Sequence, residues 1–353
     1  MHRILTGLLL CFSLALNGCG ARLSADQSQA ASQAVILSPT QNAFLVFDLR
    51  TNRVRYRIPT GAVPYALEMG PGGLVFIAHQ QESSFSVFQR ASPGNYYTFG
   101  KIGTPGRPEA MAYNPVFQEI YIVSQPRVLS VYRMQGLKQP RLQQTLRLDA
   151  NIGVPHAMSV SGDGQRLFIA GQVLESLSRE NDQLKTAKTL DLPENSRISD
   201  MVLREQTLYL ADQDLDKLYM VASDDLSLSD TIDLVLDDQR PILPRHLAIN
   251  HAGTKLYLTG QGASVVQVID LADKKLAQTL ELNQGRTDVY AGSPNGIAIQ
   301  ADDRRVYITA QNGRNIVILE SSPDAGQEET IEKLIGTTAS AALLPPLGAI
   351  RIF

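Results

Sequence analysis

The chain repeats a short motif in which a proline is followed by a residue that differs from copy to copy. These residues are Tyr65, Glu109, His156, Arg245 and Asn295, and His246 lies one position beyond Arg245. A carboxylate, imidazoles and a guanidinium at equivalent positions could bind an anionic or carbonyl-bearing ligand. His156 with Glu109 beside it could act as a general base. The same residues are also compatible with a solvated opening that has no catalytic role.

The elements that carry this motif form a repeat of about 41 to 50 residues. In the clearest copy, residues 244–271 (PRHLAINHAGTKLYLTGQGASVVQVIDL), three apolar runs alternate with polar turns, and a fourth run follows. Such runs predict a meander of antiparallel strands. The second run carries an aromatic residue in register in six copies: Phe76, Tyr121, Phe168, Tyr209, Tyr257 and Tyr307. One four-stranded sheet cannot bury both of its faces, so we expect the copies to pack against one another.

The two ends of the chain together supply one further copy. Residues 34–58 read as strands two to four, and residues 346–353 (PLGAIRIF) match a first strand. A ring closed in this way joins the N-terminal and C-terminal strands in one sheet, so neither is left as a free edge strand where the ring closes. The sequence therefore predicts an all-β, seven-bladed β-propeller of four-stranded antiparallel blades over residues 35–353. An irregular array of β-sandwiches is the alternative.

The pattern of the copies also resembles a known family. The segments PNGIAIQADDRRVYITAQNGRNIVIL and PHAMSVSGDGQRLFIAGQ are similar to YVTN-repeat, or lactonase-like, propellers, with Gln where that family usually has Asn. WD-repeat and quinoprotein propellers are disfavoured because the chain has no Trp. The resemblance implies the propeller scaffold and raises the hypothesis of a lactonase-like hydrolase that uses the channel mouth.

The N-terminal residues are typical of bacterial export. Residues 1–18 combine Arg3 with an apolar segment at 4–16 and end before Cys19 in a lipobox-like LNGC, which predicts a lipoprotein signal peptide. We expect Cys19 to be acylated and residues 19–34 to form a flexible tether. Gly20 in place of Asp favours the outer membrane of the cell envelope, with the domain facing the periplasm or the outside. An ordinary signal peptide is the alternative.

Composition excludes several classes of function. The net charge is −3 and no basic run is present, so we expect no nucleic-acid partner. Both cysteines, Cys11 and Cys19, precede residue 20, which leaves the folded part without a disulfide or a Cys nucleophile. The histidines are dispersed among the copies, and we expect neither a metal nor a cofactor. A monomeric domain is expected.

Two long loops, residues 234–243 and 283–293, flank the copy at 244–271. Arg286 and Tyr290, with Arg240 and Ile242, could form a mixed aromatic and basic patch that suits a protein partner of the envelope. Together with the predicted anchor and the lack of a compact catalytic motif, this favours a non-enzymatic binding or scaffolding lipoprotein. The lactonase-like hydrolase with His156 and Glu109 as its catalytic pair is the alternative function.

Overall fold

The computed structural model describes residues 32–136, 139–283, 292–324, 326–335 and 347–353. The predictions for residues 1–31, including Cys19, and for Arg286 and Tyr290 lie outside the described residues.

Twenty-eight strands are found in the described part of the chain, with two short 3₁₀ helices at Pro39–Gln41 and Pro71–Gly73 and no α-helix. The first seven strands are β1 (Gln33–Ser38), β2 (Ala43–Asp48), β3 (Arg53–Pro59), β4 (Pro64–Gly70), β5 (Leu74–His79), β6 (Ser84–Ser92) and β7 (Asn95–Gly103). The next eight are β8 (Pro108–Asn114), β9 (Glu119–Ser124), β10 (Val128–Arg133), β11 (Arg141–Arg147), β12 (Ala157–Val160), β13 (Arg166–Ala170), β14 (Val173–Glu180) and β15 (Gln183–Asp191). The following eight are β16 (Ile198–Arg204), β17 (Thr207–Asp212), β18 (Lys217–Ala222), β19 (Leu228–Asp233), β20 (Pro244–Ile249), β21 (Lys255–Gly260), β22 (Val265–Asp270) and β23 (Lys275–Glu281). The last five are β24 (Pro294–Ile299), β25 (Arg305–Ala310), β26 (Asn315–Glu320), β27 (Thr330–Ile335) and β28 (Ile350–Ile352).

These strands form seven four-stranded antiparallel sheets, which confirms the predicted seven-bladed propeller. Blades 1 to 6 are consecutive groups of four strands from β4 to β27, and blade 7 has the order β28-β1-β2-β3. The C-terminal strand is the innermost strand of blade 7 and pairs with the N-terminal strand, with Val35 opposite Arg351. The first strand of each blade faces the central channel. We call the end where these strands begin the mouth and the opposite end the base.

The core lies between neighbouring blades. All six aromatic residues of the second strands are buried, at 9% exposure or less. Tyr257 of blade 5, for example, packs with Ile297 and Val306 of blade 6, so each blade buries a face against the next. The faces that a single four-stranded sheet would leave exposed are thus buried between neighbouring blades. No helix among the residues described is long and apolar enough to cross a bilayer.

Candidate functional site

In blades 1, 2, 4, 5 and 6 the inner strand begins with a bulge, whereas in blade 3 His156 lies just before β12 and no shift is found. In blade 1, Pro64 and Ala66 pair with successive residues of β5, which leaves Tyr65 as the extra residue. The same shift singles out Glu109 in blade 2. It recurs at Ser199 in blade 4, although that blade lacks the proline. A bulge releases its extra residue from the ladder and redirects the side chain, so these five blades can present a variable residue to the channel.

The channel contains a cavity of about 610 Å³ at these bulges. Its wall includes all six residues that the sequence placed around the ring: Tyr65, Glu109, His156, Arg245, His246 and Asn295. Five further charged or polar residues join them, namely Glu68, Ser199, Asp200, Gln311 and Arg351. A cavity of this size is large enough for a small organic ligand.

Asp200 and His246 form a hydrogen-bonded pair across the junction of blades 4 and 5. His246 Nδ1 lies 3.1 Å from Asp200 Oδ2, which also accepts the Leu247 backbone N–H at 2.9 Å. Burial acts to raise the pKa of Asp200, but the hydrogen bonds from His246 and Leu247 outweigh it and hold that pKa below its usual value. The ionised carboxylate favours a proton on Nδ1, so Nε2 of the neutral imidazole carries the lone pair.

Thr259 holds the backbone of His246 in place. The residue lies opposite the bulge and is fully buried. Its hydroxyl accepts the His246 backbone N–H at 3.0 Å and donates to the Asn295 carbonyl of blade 6 at 3.1 Å. Thr309 has the equivalent role in blade 6, between Gly296 N–H and the carbonyl of Gly348. The hydroxyl thus supplies hydrogen bonds that the bulge removes from the ladder.

His156 and Glu109 are neighbours in the ring but share no hydrogen bond, because His156 Nδ1 lies 3.9 Å from Glu109 Oε2. The buried Glu109 carboxylate instead accepts Arg107 Nε at 2.8 Å and Gln80 Nε2 at 3.3 Å. Burial, together with the positive charge of Arg245, lowers the pKa of His156 to about 4. His156 is therefore neutral at physiological pH and suited to hydrogen bonding with a ligand.

Arg245 lines the cavity without an ion pair or a side-chain hydrogen bond to any residue in the described ranges. Deeper in the channel, Arg351 Nη2 lies 3.2 Å from Glu68 Oε1. Burial raises the pKa of Glu68, and the charge of Arg351 opposes that shift. Among the described residues, Arg245 is therefore a cation of the cavity wall that is available to a ligand. The Glu68–Arg351 ion pair lies deeper in the channel.

Sequence reasoning placed both His246 and Asp200 one position beyond the ring residues but did not pair them, and it missed the Glu68–Arg351 pair. The signal for Asp200 was present, because Asp200 and His246 occupy equivalent positions where other copies have Ala or Gly. No described group of three or more His, Cys, Asp or Glu side chains could hold a metal ion.

The proposed loop patch is corrected in part. Ile242 is fully buried and belongs to the core between blades 4 and 5, so it cannot contact a partner. Arg240 is exposed but pairs with Asp238 and Glu281. The loop at 234–243 therefore packs against the scaffold through the buried side chain of Ile242.

Neither a protein-family model nor a curated protein sequence matches the chain. Solved structures do resemble it. A protein from Lactobacillus plantarum has a TM-score of 0.76 at 12% identity, covering 91% of this chain and 99% of its own. A periplasmic gluconolactonase from Pseudomonas aeruginosa has a TM-score of 0.74 at 15% identity, covering 90% and 98%. A putative 6-phosphogluconolactonase from Bacteroides fragilis has a TM-score of 0.73 at 12% identity, covering 90% and 97%.

At these identities the likeness shows the fold alone, a seven-bladed β-propeller. The names of these structural neighbours correct our ranking of the two functions. We predicted a binding or scaffolding lipoprotein first and a hydrolase second, but structural neighbours along nine-tenths of the chain are named as lactonases. The lactonase-like alternative is therefore favoured over the scaffolding module.

Proposed function

We propose that the chain is a hydrolase that opens a lactone ring at the channel mouth. The observation that carries this proposal is the Asp200–His246 pair in the wall of a cavity that also contains Arg245. A base oriented by a carboxylate, beside a cation without a protein partner, is the arrangement that ester hydrolysis requires. The names of the structural neighbours support the same class of substrate.

The reaction follows from the tautomer of His246. Nε2 removes a proton from a water molecule, and the water oxygen forms a bond to the lactone carbonyl carbon. Arg245 stabilises the negative charge that develops on the carbonyl oxygen. The ring C–O bond then breaks, and the imidazolium returns its proton to the leaving alkoxide. The product is the open hydroxy acid, which loses a proton to solvent.

The test is hydrolysis of a panel of lactones, including glucono-1,5-lactone, with the spontaneous rate subtracted. We expect His246→Gln to lower kcat by about 100-fold or more, which is the usual contribution of a general base. Asp200→Asn should lower kcat and change its pH profile, because an amide no longer fixes the tautomer. Absence of turnover by the wild type across the panel, or equal kcat for wild type and His246→Gln, would refute the proposal.

His156 serves as a binding residue in this scheme. Its depressed pKa makes it a weak base, while its partly exposed ring can still donate or accept one hydrogen bond. We expect His156→Gln to raise KM with kcat nearly unchanged. A loss of kcat equal to that of His246→Gln would instead assign the base to His156.

We also propose that Cys19 is acylated and anchors the domain to the cell envelope, at the outer membrane. The proposal is supported by the apolar residues 4–16 and by LNGC at residues 16–19. The test is the membrane fraction of cells that express the wild type or Cys19→Ser. Equal retention of both chains in the membrane would refute lipidation as the anchor.

A further inference from the structure

The charges of the chain are unevenly distributed around the propeller. Residues 32–103 contain six Lys or Arg and three Asp or Glu, a net charge of +3. Residues 104–353 contain 24 and 31, a net charge of −7, and residues 1–31 contribute +1, which restores the total of −3. The positive charge is therefore concentrated on blades 7 and 1.

Most of this charge lies on the outermost strand of blade 7. Arg50 in the β2–β3 turn and Arg53, Arg55 and Arg57 on β3 are all exposed, and we call these four residues the basic edge. The nearest acid is Asp48, which pairs with Arg55 at 3.3 Å. Arg57 donates to the carbonyl of Gln41, while Arg50 and Arg53 form no ion pair within the described ranges. Three arginines on the outer strand and a fourth in the preceding turn, with one neighbouring acid, present a cationic surface.

The β2–β3 turn, which carries Arg50, lies close to the point where the chain enters blade 7 from the N-terminal residues. The Leu49 backbone N–H donates to the carbonyl of Ser32 at 2.8 Å, and Gln33 lies opposite Asp48 in the β1–β2 ladder. Residue 32 therefore lies beside the turn that carries Arg50. This turn belongs to the base of the propeller, because β1 runs antiparallel to the inner strand β28.

We propose that the basic edge binds the anionic phospholipid headgroups of the membrane that holds the N-terminal residues. The inference rests on the proposed anchor at Cys19. About a dozen residues separate Cys19 from Ser32, so the tether keeps the base within reach of the bilayer surface. The remaining net charge of −7 disfavours contact through other blades. The complex turns the outer edge of blade 7 towards the lipid, with Arg50 and Arg53 at the base end of that edge and Arg57 nearer the mouth.

The test uses the full acylated chain, purified from membranes and incorporated into vesicles. The folded part contains no Cys, so a single introduced thiol can carry a fluorophore. Thr51→Cys places it in the turn at the base, and Asn312→Cys places it in an exposed turn at the mouth. Quenching by headgroup-labelled lipid is compared between phosphatidylcholine vesicles and vesicles with about one-third phosphatidylglycerol.

We expect the label at position 51 to be quenched several-fold more than the label at position 312 in anionic vesicles only. Each basic residue near an anionic surface contributes a factor of about five, so Arg50→Glu with Arg53→Glu should lower the oriented population at least about 25-fold. Arg141→Glu with Arg147→Glu, on the outer strand β11 of blade 2, is the matched control and should have no effect. High salt should reproduce the effect of the charge reversal.

The outcomes separate this proposal from the anchor. Sedimentation with both kinds of vesicle but equal quenching of the two labels overturns the basic edge and leaves the anchor in place. Sedimentation with anionic vesicles alone supports the basic edge and overturns the anchor. A chain that sediments with neither overturns both.

Discussion

Thr259 offers a direct test of how the bulge positions the candidate base. Thr259→Val is nearly isosteric and removes only the hydroxyl. Two hydrogen bonds are lost, one from the His246 N–H and one to the Asn295 carbonyl, and both partners are then left in a partly buried environment. Losing such bonds costs about 1 to 3 kcal/mol for each stranded group, so we expect a total of about 2 to 6 kcal/mol.

Blade 6 supplies a matched control. Thr309→Val removes the corresponding bonds to Gly296 and Gly348, and Thr309 is as fully buried as Thr259. The free energy of unfolding should therefore fall by a similar amount in both variants. The bulge beside Thr309 carries Gly296 rather than a candidate base, so only Thr259→Val should displace His246.

The assay combines urea unfolding with steady-state lactone hydrolysis. We expect kcat of Thr259→Val to fall on the order of 10- to 100-fold, because a displacement of about 1 Å at a catalytic group has effects of this size. Thr309→Val should retain kcat within a few-fold, and Thr259→Ser, which keeps the hydroxyl, should retain both activity and most of the stability. Equal activity of Thr259→Val and Thr309→Val would refute the positioning role. Unchanged stability of both would refute the hydrogen-bond argument itself.

Two further predictions concern stability. Burial lowers the pKa of His79 to about 4, so its neutral form stabilises the fold fully above its unfolded pKa near 6.5, and this contribution declines as the pH falls towards 4. We expect the contribution of His79 to the free energy of unfolding to fall by about 2 kcal/mol between pH 7 and pH 5, as measured by urea unfolding. If His79→Gln leaves the pH dependence of that free energy unchanged, the prediction is wrong. Lys255 and Glu329 form a buried ion pair at 2.5 Å, so Glu329→Gln alone should cost about 3 to 5 kcal/mol. Lys255→Met added to it should restore part of the loss in a double-mutant cycle, and strictly additive costs would exclude the coupling.

The scaffold could be predicted from sequence because its signals are local and repeated. Aromatic residues such as Phe76 and Tyr307 recur in register on the second strands, and each is buried between blades. The closure of blade 7 was also readable, because residues 346–353 complete a unit that lacks a first strand. Redundancy over many copies made each weak local signal decisive.

The site was only partly predictable because its contacts join different blades. The sequence placed His156 beside Glu109, but whether two ring neighbours touch depends on side-chain direction, and these remain 3.9 Å apart. Asp200 follows the one-residue bulge of blade 4, and its carboxylate lies 3.1 Å from His246 Nδ1 in the longer bulge of blade 5. A contact that depends on the relative position of two blades cannot be predicted from the sequence of either repeat alone.

The bulges explain how one repeated scaffold can hold a site that is not repeated. The second strands of blades 1 to 6 are constrained by burial, and each carries a buried aromatic residue. The extra residue at the bulge is outside the ladder, and substitutions there leave the blade hydrogen bonds intact. This position accordingly carries Tyr65, Glu109, Ser199 and Asn295 in four different blades, with backbone support from buried hydroxyls such as Thr259 and Thr309. The residue at a bulge can therefore differ from blade to blade while the propeller remains the same.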